Sequence, residues 1–348
     1  MTGVALLGAG IFAKTQHLSA IEAAKDLNLL AVYSRSQASA EALVALVKDA
    51  STKPQLYYDS TENTDNSLDA LLARSDIKAV IVSLPILAQP AVIRKALAAG
   101  KHILSEKPIA PDVKGARELL QYYDSLPTAT RPIWSVAENF RFLPVLHDAA
   151  DKIKAIGGRL VSFHLIMNGF VKEEDEFYNT EWRKVPGYQG GFLLDGGVHF
   201  LAGLRFLLAA AGDEVARVVC FSSLLEKRLP PVDSVHAVAA TRGGVNGTVS
   251  ISFGTEFKAT LEVCVVTTEG RVTWDPSKVV SVRRSQTEED TKTFEQDFGV
   301  VAEVAAFAKS VAAGKADPLQ SPQEALQDLA LLEALLQSGP SGAVKSLI

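Results

Sequence analysis

Several features are scarce or missing in this chain of 348 residues, and each absence excludes a class of protein. Two cysteines, Cys220 and Cys264, cannot form a disulfide framework or a structural zinc site, so we expect buried free thiols. The six histidines show no metal-ligand spacing, so no metal is expected. The formal net charge is −5 and basic residues do not cluster, so nucleic acid is not an expected partner.

Long apolar runs and a basic leader are missing as well. Every apolar stretch contains Gly, Pro or a charge such as Arg205 before it reaches the roughly 18 residues of a membrane span, so no membrane partner is expected. The start, Met1-Thr2-Gly3-Val4, lacks the basic residues that open a signal peptide. With 47% hydrophobic and 22% charged residues, the chain is predicted to be a cytoplasmic protein of two domains.

The first 140 residues alternate short apolar runs with helical stretches. Continuous apolar runs are typical of strands that are buried on both faces of a parallel sheet. The runs are Val4–Leu7, Leu29–Tyr33, Ala79–Leu84, His102–Ser105 and Ile133–Ala137. Their alternation with helices predicts a doubly wound parallel sheet, that is, a Rossmann domain over residues 1–140.

After residue 141 the pattern changes to consecutive strands in which polar and apolar residues alternate. Turns such as Gly243-Gly244 and Glu269-Gly270 separate several of them, which is typical of antiparallel hairpins. Helices are predicted again over 301–312 and 323–337. We therefore expect an α/β protein whose second domain, over 141–348, is α+β with an open, mainly antiparallel sheet. This prediction also allows the terminal helix to pack back on the first domain.

A glycine-rich turn follows the first predicted strand. Gly8-Ala9-Gly10-Ile11-Phe12-Ala13 fits the pattern G-x-G-x-x-A between a strand and a helix. Gly8 permits the tight turn, Gly10 lets a pyrophosphate approach the backbone, and Ala13 keeps helix and strand close. The helix N-terminus adds amide donors and a positive dipole end. The motif predicts dinucleotide binding; the alternative is a turn with a structural role only.

The end of the second strand indicates which dinucleotide is bound. NAD enzymes usually carry Asp or Glu there to bind the ribose 2′-hydroxyl. This chain has Ser34-Arg35-Ser36 instead, and an arginine fork with a serine hydroxyl suits a 2′-phosphate. NADP is therefore the predicted cofactor, and a solvated arginine is the alternative for Arg35.

Two further segments carry groups that can move protons. Lys107, in Glu106-Lys107-Pro108, follows the predicted strand His102–Ser105, and ligands bind at the carboxyl ends of such strands. A partly desolvated lysine there can donate to a substrate oxygen, whereas a solvated strand-end lysine is the alternative. Asp195 and His199 are four residues apart, so on a helix they share a face and can form a proton relay. An N-capping Asp195 with an unrelated histidine is the alternative.

Taken together, these segments resemble the Gfo/Idh/MocA oxidoreductases, which include glucose–fructose oxidoreductase and inositol 2-dehydrogenase. The resemblance spans essentially the whole chain, and within the family it is greatest to the fungal NADP-dependent members. It rests on Gly8–Ala13, Glu106-Lys107-Pro108, Ala137–Phe142, Glu181-Trp182-Arg183 and Gly190–His199.

The resemblance implies roles at the matched positions. Lys107 is expected to be the catalytic lysine, close to both the nicotinamide of the cofactor and the reacting oxygen. His199 is expected to be the proton donor or acceptor, with Asp195 beside it in the substrate pocket. Expected cofactor contacts come from Glu106 at a ribose, Leu84 and Pro85 between adenosine and nicotinamide, Asn139 beside the nicotinamide, and Trp182 and Arg183 at the pocket mouth.

The predicted function is an NADP(H)-dependent oxidoreductase that acts on a hydroxyl or carbonyl carbon of a sugar, a polyol or a small aldehyde. A non-catalytic NADP-binding sensor of the same fold is the alternative from another class, because fold alone does not separate the two. Reduction of an imine or enone is a third possibility. The resemblance also implies a homodimer or a higher homo-oligomer.

Overall fold

The computed structural model of the chain describes residues 1–49, 53–60, 64–286 and 288–347. Internal contacts divide the chain into two compact units. The first unit comprises Met1–Glu138 and Val300–Leu326, and the second comprises Asn139–Gly299 and Gln327–Ile348. The chain thus passes from the first unit to the second twice, after Glu138 and after Leu326, and returns to the first unit for one segment, Val300–Leu326.

A six-stranded parallel sheet forms the centre of the first unit. Its strands are β1 (Thr2–Leu7), β2 (Leu27–Ser34), β3 (Gln55–Tyr58), β4 (Ala79–Val82), β5 (His102–Glu106) and β6 (Trp134–Ala137). They pair in the order β3-β2-β1-β4-β5-β6, with every pair parallel. This is the strand order of a Rossmann dinucleotide-binding sheet, which confirms the predicted fold. No apolar run in the sequence predicted β3, because this edge strand buries only Tyr57.

Helices pack against this sheet. They are α1 (Leu18–Ala23), α2 (Gln37–Val44), α3 (Leu68–Ala73), α4 (Gln89–Ala98), α5 (Val113–Ser125) and α9 (Val300–Ala313). One core cluster joins the strand residues Leu6 and Ile81 to Ile21 of α1 and Phe307 of α9. A single π-helical turn, Ala13–His17, leads into α1, and the chain is continuously helical from residue 11 to residue 23.

A nine-stranded mixed sheet forms the second unit. Its strands are β7 (Leu160–Asn168), β8 (Val215–Ser223), β9 (Ser234–Thr241), β10 (Asn246–Ser252), β11 (Thr260–Thr267), β12 (Gly270–Asp275), β13 (Lys278–Arg283), β14 (Asp290–Thr293) and β15 (Lys345–Ser346). The order is β14-β13-β12-β11-β7-β10-β9-β8-β15. Among the described pairings only that of β7 with β10 is parallel, so the predicted, mainly antiparallel sheet is confirmed.

The described part of the second unit contains four α-helices, two of which pack on its sheet. The four helices are α6 (Pro144–Ile156), α7 (Glu181–Lys184), α8 (Gly191–Ala210) and the part of α10 (Pro322–Ser338) that begins at Gln327. Helices α6 and α8 contact β7, β11, β12 and β13. The other face remains exposed: Phe221 is 68% exposed and Val238 is 54% exposed.

Helix α8 corrects one expectation. By length and composition alone this helix is apolar enough to cross a membrane, so Arg205 does not break the stretch as expected. The structure explains the composition, because 61% of its most apolar window is buried inside the fold. Leu194, Leu201 and Leu204 are fully buried.

Candidate active site

The glycine-rich turn joins the carboxyl ends of three strands. Gly8 adopts a φ of +122°, and a Cβ built there would lie 2.0 Å from the carbonyl oxygen of Ser83, just beyond β4. The Gly8 amide donates to the Tyr33 carbonyl of β2 at 2.8 Å. Only glycine fits both the left-handed backbone and the close approach. The turn is therefore fixed against β2 and β4.

Gly10 differs from Gly8, because it is exposed and, apart from its chain neighbours, no described residue has a heavy atom within 4 Å of its Cβ position. The helical segment begins next to it: the Gly10 carbonyl accepts from the Lys14 amide at 3.1 Å. Ile11 and Phe12 are half-buried, whereas Ala13 is fully buried. An open backbone at the start of a helix can receive an anionic group. These residues fit the pyrophosphate of a dinucleotide.

Ser34 and Arg35 lie where β2 ends. Ser34 is half-buried and Arg35 is exposed, and no described residue forms a hydrogen bond or an ion pair with the Arg35 guanidinium. Ser36 caps α2 by accepting from the Ser39 amide at 3.3 Å. The guanidinium is available to a phosphate, and the geometry equally fits a solvated arginine.

Leu84 and Pro85 follow β4 and are both half-buried. The Leu84 Cδ2 lies 3.4 Å from the Cβ position of Gly8, so the side chain packs beside the glycine turn. The Pro85 carbonyl accepts from the Ala88 amide at 2.8 Å and turns the chain into α4. The structure thus brings both residues to the edge of the sheet that carries the turn.

Glu106 is the last residue of β5, and its carboxylate contacts a residue that the sequence analysis missed. Its Oε1 lies 2.6 Å from Nε2 of His17, whose side chain is fully buried. Two positions 89 residues apart give no local signal in the sequence. Lys107 follows immediately, is half-buried, and precedes a cis Lys107–Pro108 peptide bond. It therefore leaves the sheet at the carboxyl edge, as predicted.

In the second unit, His199 lies on α8 against an aromatic ring. The Phe140 ring stacks on the imidazole with 4.8 Å between centroids and 17° between planes. The neighbouring Asn139 is buried, and its Nδ2 donates to the carbonyl of Phe298 at 2.6 Å. The short 3-10 helix Asn139–Phe142 therefore presents Phe140 to the histidine. The sequence motifs gave no indication of this stacking.

Asp195 is one turn before His199 on α8, as the spacing predicted, and the N-cap alternative is wrong because Gly190 caps that helix. An Asp195 carboxylate oxygen accepts from Nε of Arg183 at 2.7 Å in a largely buried ion pair. The Arg183 guanidinium also lies 4.0 Å from the Trp182 ring centroid. Arg183, expected at the pocket mouth, therefore fixes the carboxylate that accompanies His199.

Tyr188 is a second residue that the sequence analysis missed. It is 8% exposed, and its hydroxyl is buried without a hydrogen-bond partner among the described residues. Burial, and then the charge of Asp195, raise the pKa of Tyr188 above its usual range, so the hydroxyl stays protonated. Its ring lies 6.1 Å from the Trp182 ring. A buried, unused donor beside Asp195 can bind an oxygen of a ligand.

A buried ion cluster supports the same region. One Asp328 oxygen accepts from Nη2 of Arg141 at 2.6 Å, and the other accepts from Nη1 of Arg205 at 2.5 Å. Asp328 is 1% exposed. Arg141 belongs to the segment that carries Phe140, and Arg205 belongs to the helix that carries His199. Asp328 thus joins the 3-10 helix that carries Phe140 to α8, which carries His199.

Each of the two units has a counterpart among known protein families. The model "Oxidoreductase family, NAD-binding Rossmann fold" matches residues 2–129, and "Oxidoreductase family, C-terminal alpha/beta domain" matches residues 153–345. The chain is 50% identical to dehydrogenase FPY6 of Fusarium mangiferae, over 100% of this chain and 99% of that protein. It is 25% identical to D-xylose 1-dehydrogenase (NADP(+)) 2 of Haloferax volcanii, over 93% of each.

A solved structure gives the same result. The crystal structure of an oxidoreductase from Thermotoga maritima superposes with a TM-score of 0.85 at 28% identity, covering 99% of this chain and 98% of that one. Matches of this extent in both domains show the family. The chain belongs to the Gfo/Idh/MocA oxidoreductases, as its motifs indicated.

Proposed function

We propose that the protein is an NADP(H)-dependent oxidoreductase that acts on a hydroxyl or carbonyl carbon of a sugar, a polyol or a small aldehyde. The observation that carries the proposal is the position of Lys107, directly after β5, at the sheet edge that also carries the open backbone of Gly10. Ligands of open α/β sheets bind at this edge. Two relatives, dehydrogenase FPY6 and an NADP(+)-linked D-xylose dehydrogenase, bear names of the same reaction class.

The chain's own residues provide the cofactor site in this proposal. The backbone amides at the start of the helix beside Gly10 bind the pyrophosphate. Ser34 and Arg35 bind the 2′-phosphate, and the Glu106 carboxylate accepts a hydrogen bond from a ribose hydroxyl. Leu84, Pro85, Asn139 and Trp182 complete the predicted contacts. When bound, the nicotinamide supplies or accepts the hydride, and the protein supplies position and charge.

In this proposal Lys107 is the proton donor or acceptor for the substrate oxygen, and His199 keeps the proton-transfer role that the family resemblance implies. An ammonium beside an oxygen that gains negative charge stabilises the transition state more than the ground state. His199 is fixed by the Phe140 ring, and Asp195 is fixed by Arg183, so neither group has to reorient during proton transfer. Asp195 supplies a carboxylate one helical turn before His199.

The test combines cofactor binding with turnover. Dissociation constants for NADPH and NADH are measured first. NADPH oxidation is then followed with a panel of aldehydes, aldoses and ketoses, and separately with imines and enones. We expect tighter binding of NADPH and turnover of at least one member of the panel. Tight NADPH binding without turnover of any carbonyl, imine or enone contradicts the proposal that the protein is an enzyme and favours the non-catalytic sensor. Equal affinity for the two cofactors contradicts the NADP assignment.

We also propose that a second copy of the chain covers the exposed face of the nine-stranded sheet. Phe221 and Val238 lie on that face on neighbouring strands, and an apolar patch of this kind is a liability for a monomer. The commonest closed homo-oligomer, a two-fold dimer, joins identical patches of its two copies. Light scattering is expected to give the mass of a dimer or a multiple of it, and Val238→Lys is expected to give the monomer. A monomer in the unmodified protein contradicts the proposal.

A further inference from the structure

The first unit contains a buried pair of titratable side chains, His17 and Glu106, of which the proposed function uses only Glu106. Nε2 of His17 lies 2.6 Å from Oε1 of Glu106, a short contact that is typical of a charge-assisted hydrogen bond. The His17 side chain is 0% exposed and that of Glu106 is 11% exposed. A carboxylate accepts only, so the contact fixes Nε2 as the protonated nitrogen of the ring. No described group donates to Oε2 of Glu106.

The helix that carries His17 is shaped to make this contact. The helical segment after the glycine turn begins with a π-helical turn, Ala13–His17, and His17 is the last residue of that turn. Such a turn holds one more residue than an α-turn and so redirects the side chain that ends it; single π-turns are frequent at functional sites. The Phe12 ring packs edge-on to the imidazole at 5.2 Å and limits its rotation. The π-helical turn and the Phe12 ring therefore both keep the His17 imidazole directed at the Glu106 carboxylate.

The place of Glu106 in the sheet identifies which half of a dinucleotide it faces. Arg35 follows β2, and β5 is three strands away from β2 in the sheet. With about 4.8 Å between strands, the ends of β2 and β5 are about 14 Å apart. If the 2′-phosphate binds at β2 and the pyrophosphate binds at β1, Glu106 lies on the nicotinamide side, next to Lys107.

We propose that His17 is a positioning residue for the nicotinamide-side ribose: it fixes Oε1 of Glu106, so that Oε2 is aimed to accept a hydrogen bond from a ribose hydroxyl. The inference rests on the proposed function, because it needs a nicotinamide dinucleotide at this edge. His17 does not touch the cofactor and acts through the carboxylate. The ordering of a carboxylate before binding saves the entropy that a mobile glutamate loses on binding.

The experiment measures binding rather than turnover. Dissociation constants for NADPH, and for adenosine 2′,5′-bisphosphate as a probe without the nicotinamide half, are determined for the unmodified chain, His17→Ala, His17→Gln and Glu106→Gln. A charge-assisted hydrogen bond affects affinity about tenfold, so we expect His17→Ala to weaken NADPH by about that factor. Binding of the adenosine probe stays within about twofold, because the loss lies in the nicotinamide half. His17→Gln retains an N–H donor and restores part of the affinity.

Two controls separate positioning from folding. Ile21→Ala removes a buried side chain from the same helical segment without touching Glu106, and it is expected to lower thermal stability while leaving the ratio of the two affinities unchanged. In the double variant His17→Ala with Glu106→Gln, NADPH binds no more weakly than in Glu106→Gln alone, because His17 acts only through that carboxylate.

The outcomes distinguish the inference from the proposed function. If the unmodified chain binds neither NADPH nor NADH, the proposed function fails and His17 loses its role with it. If the unmodified chain binds NADPH but His17→Ala binds it equally well, only the positioning role is overturned. Equal losses for NADPH and for the adenosine probe, or fully additive losses in the double variant, also overturn it and leave His17 as a residue of the hydrophobic core.

Discussion

The two units hold their candidate functional groups by different means. In the first unit, Gly8, Arg35 and Lys107 each lie within two residues of a strand end, so the sheet places them. In the second unit, side chains hold one another: Arg183 holds Asp195, and the Phe140 ring holds His199. Substitutions of Arg35 and Lys107 are therefore expected to change binding or rate with little loss of stability. In the second unit, function and stability are expected to change together.

The largest effect is expected at Lys107, which tests the first half of this comparison. Lys107→Ala should lower the rate of hydride transfer by roughly 10²–10⁴, the usual range for losing a positioned acid. Cofactor affinity should change far less, because the pyrophosphate binds at the Gly8–Ala13 turn. Single-turnover kinetics and NADPH titration measure the two quantities separately.

Lys107→Arg is the control for charge alone. A planar guanidinium neither occupies the site of an ammonium nor releases a proton near neutral pH, so this variant should not recover the rate. If Lys107→Ala reacts within about threefold of the unmodified chain, well short of the expected range, Lys107 is a solvated strand-end lysine and the mechanism is wrong.

Asp328 tests the second half of the comparison. Asp328→Ala leaves two buried guanidinium groups, of Arg141 and Arg205, without their shared carboxylate. The loss of one member of a buried ion cluster costs about 3–5 kcal/mol of unfolding free energy. Because the cluster joins the elements that carry Phe140 and His199, the activity of the surviving folded protein should fall as well. Denaturant unfolding and steady-state kinetics measure both effects.

An exposed ion pair in the first unit is the matched control. Lys95 and Asp69 form a pair at 2.8 Å whose side chains are 52% and 72% exposed. Asp69→Ala should cost at most about 1 kcal/mol and leave the kinetics unchanged. Equal losses in Asp69→Ala and Asp328→Ala would show that the buried cluster does not hold the second unit together.

The same contrast explains how much of the molecule is predictable from sequence. Apolar runs and the Gly8–Ala13 motif predicted the Rossmann sheet, because each strand end follows from a local pattern. The predicted helix placed Asp195 one turn from His199 for the same reason. The pair of His17 with Glu106 and the pair of Arg141 with Asp328 join positions 89 and 187 residues apart. The periodic patterns of a local sequence segment do not predict such pairs, because the two residues meet only in the folded chain.

A smaller effect is expected at Arg35, which follows β2 and tests the preference for NADPH over NADH. Arg35 is exposed at a strand end, so Arg35→Ala should leave stability unchanged. A charge-assisted contact with a phosphate is worth about 1.5–3 kcal/mol, so the variant should lose about tenfold or more in NADPH affinity. NADH affinity should change little. Titration of both cofactors against both proteins tests this, and an unchanged NADPH affinity contradicts the role of Arg35.

The smallest effect compares one tyrosine from each unit. The Tyr188 hydroxyl has no described hydrogen-bond partner, whereas the Tyr123 hydroxyl donates to the Pro132 carbonyl at 2.9 Å. An unsatisfied buried hydroxyl destabilises a fold, so Tyr188→Phe should raise the unfolding free energy by about 1 kcal/mol. Tyr123→Phe loses a hydrogen bond and should lower it by about the same amount.

The pH dependence gives Tyr188→Phe a second readout. Burial raises the pKa of Tyr188 in the folded chain, so as the pH rises above about 10 the unfolded chain loses its phenol proton first. The folded state is therefore destabilised in alkali and unaffected below that pH. Tyr188→Phe removes this loss, so its advantage over the unmodified chain should grow between pH 8 and pH 11, measured by urea unfolding. If Tyr188→Phe is instead destabilising at pH 8, the hydroxyl has a partner in the folded protein and is not a donor reserved for a ligand.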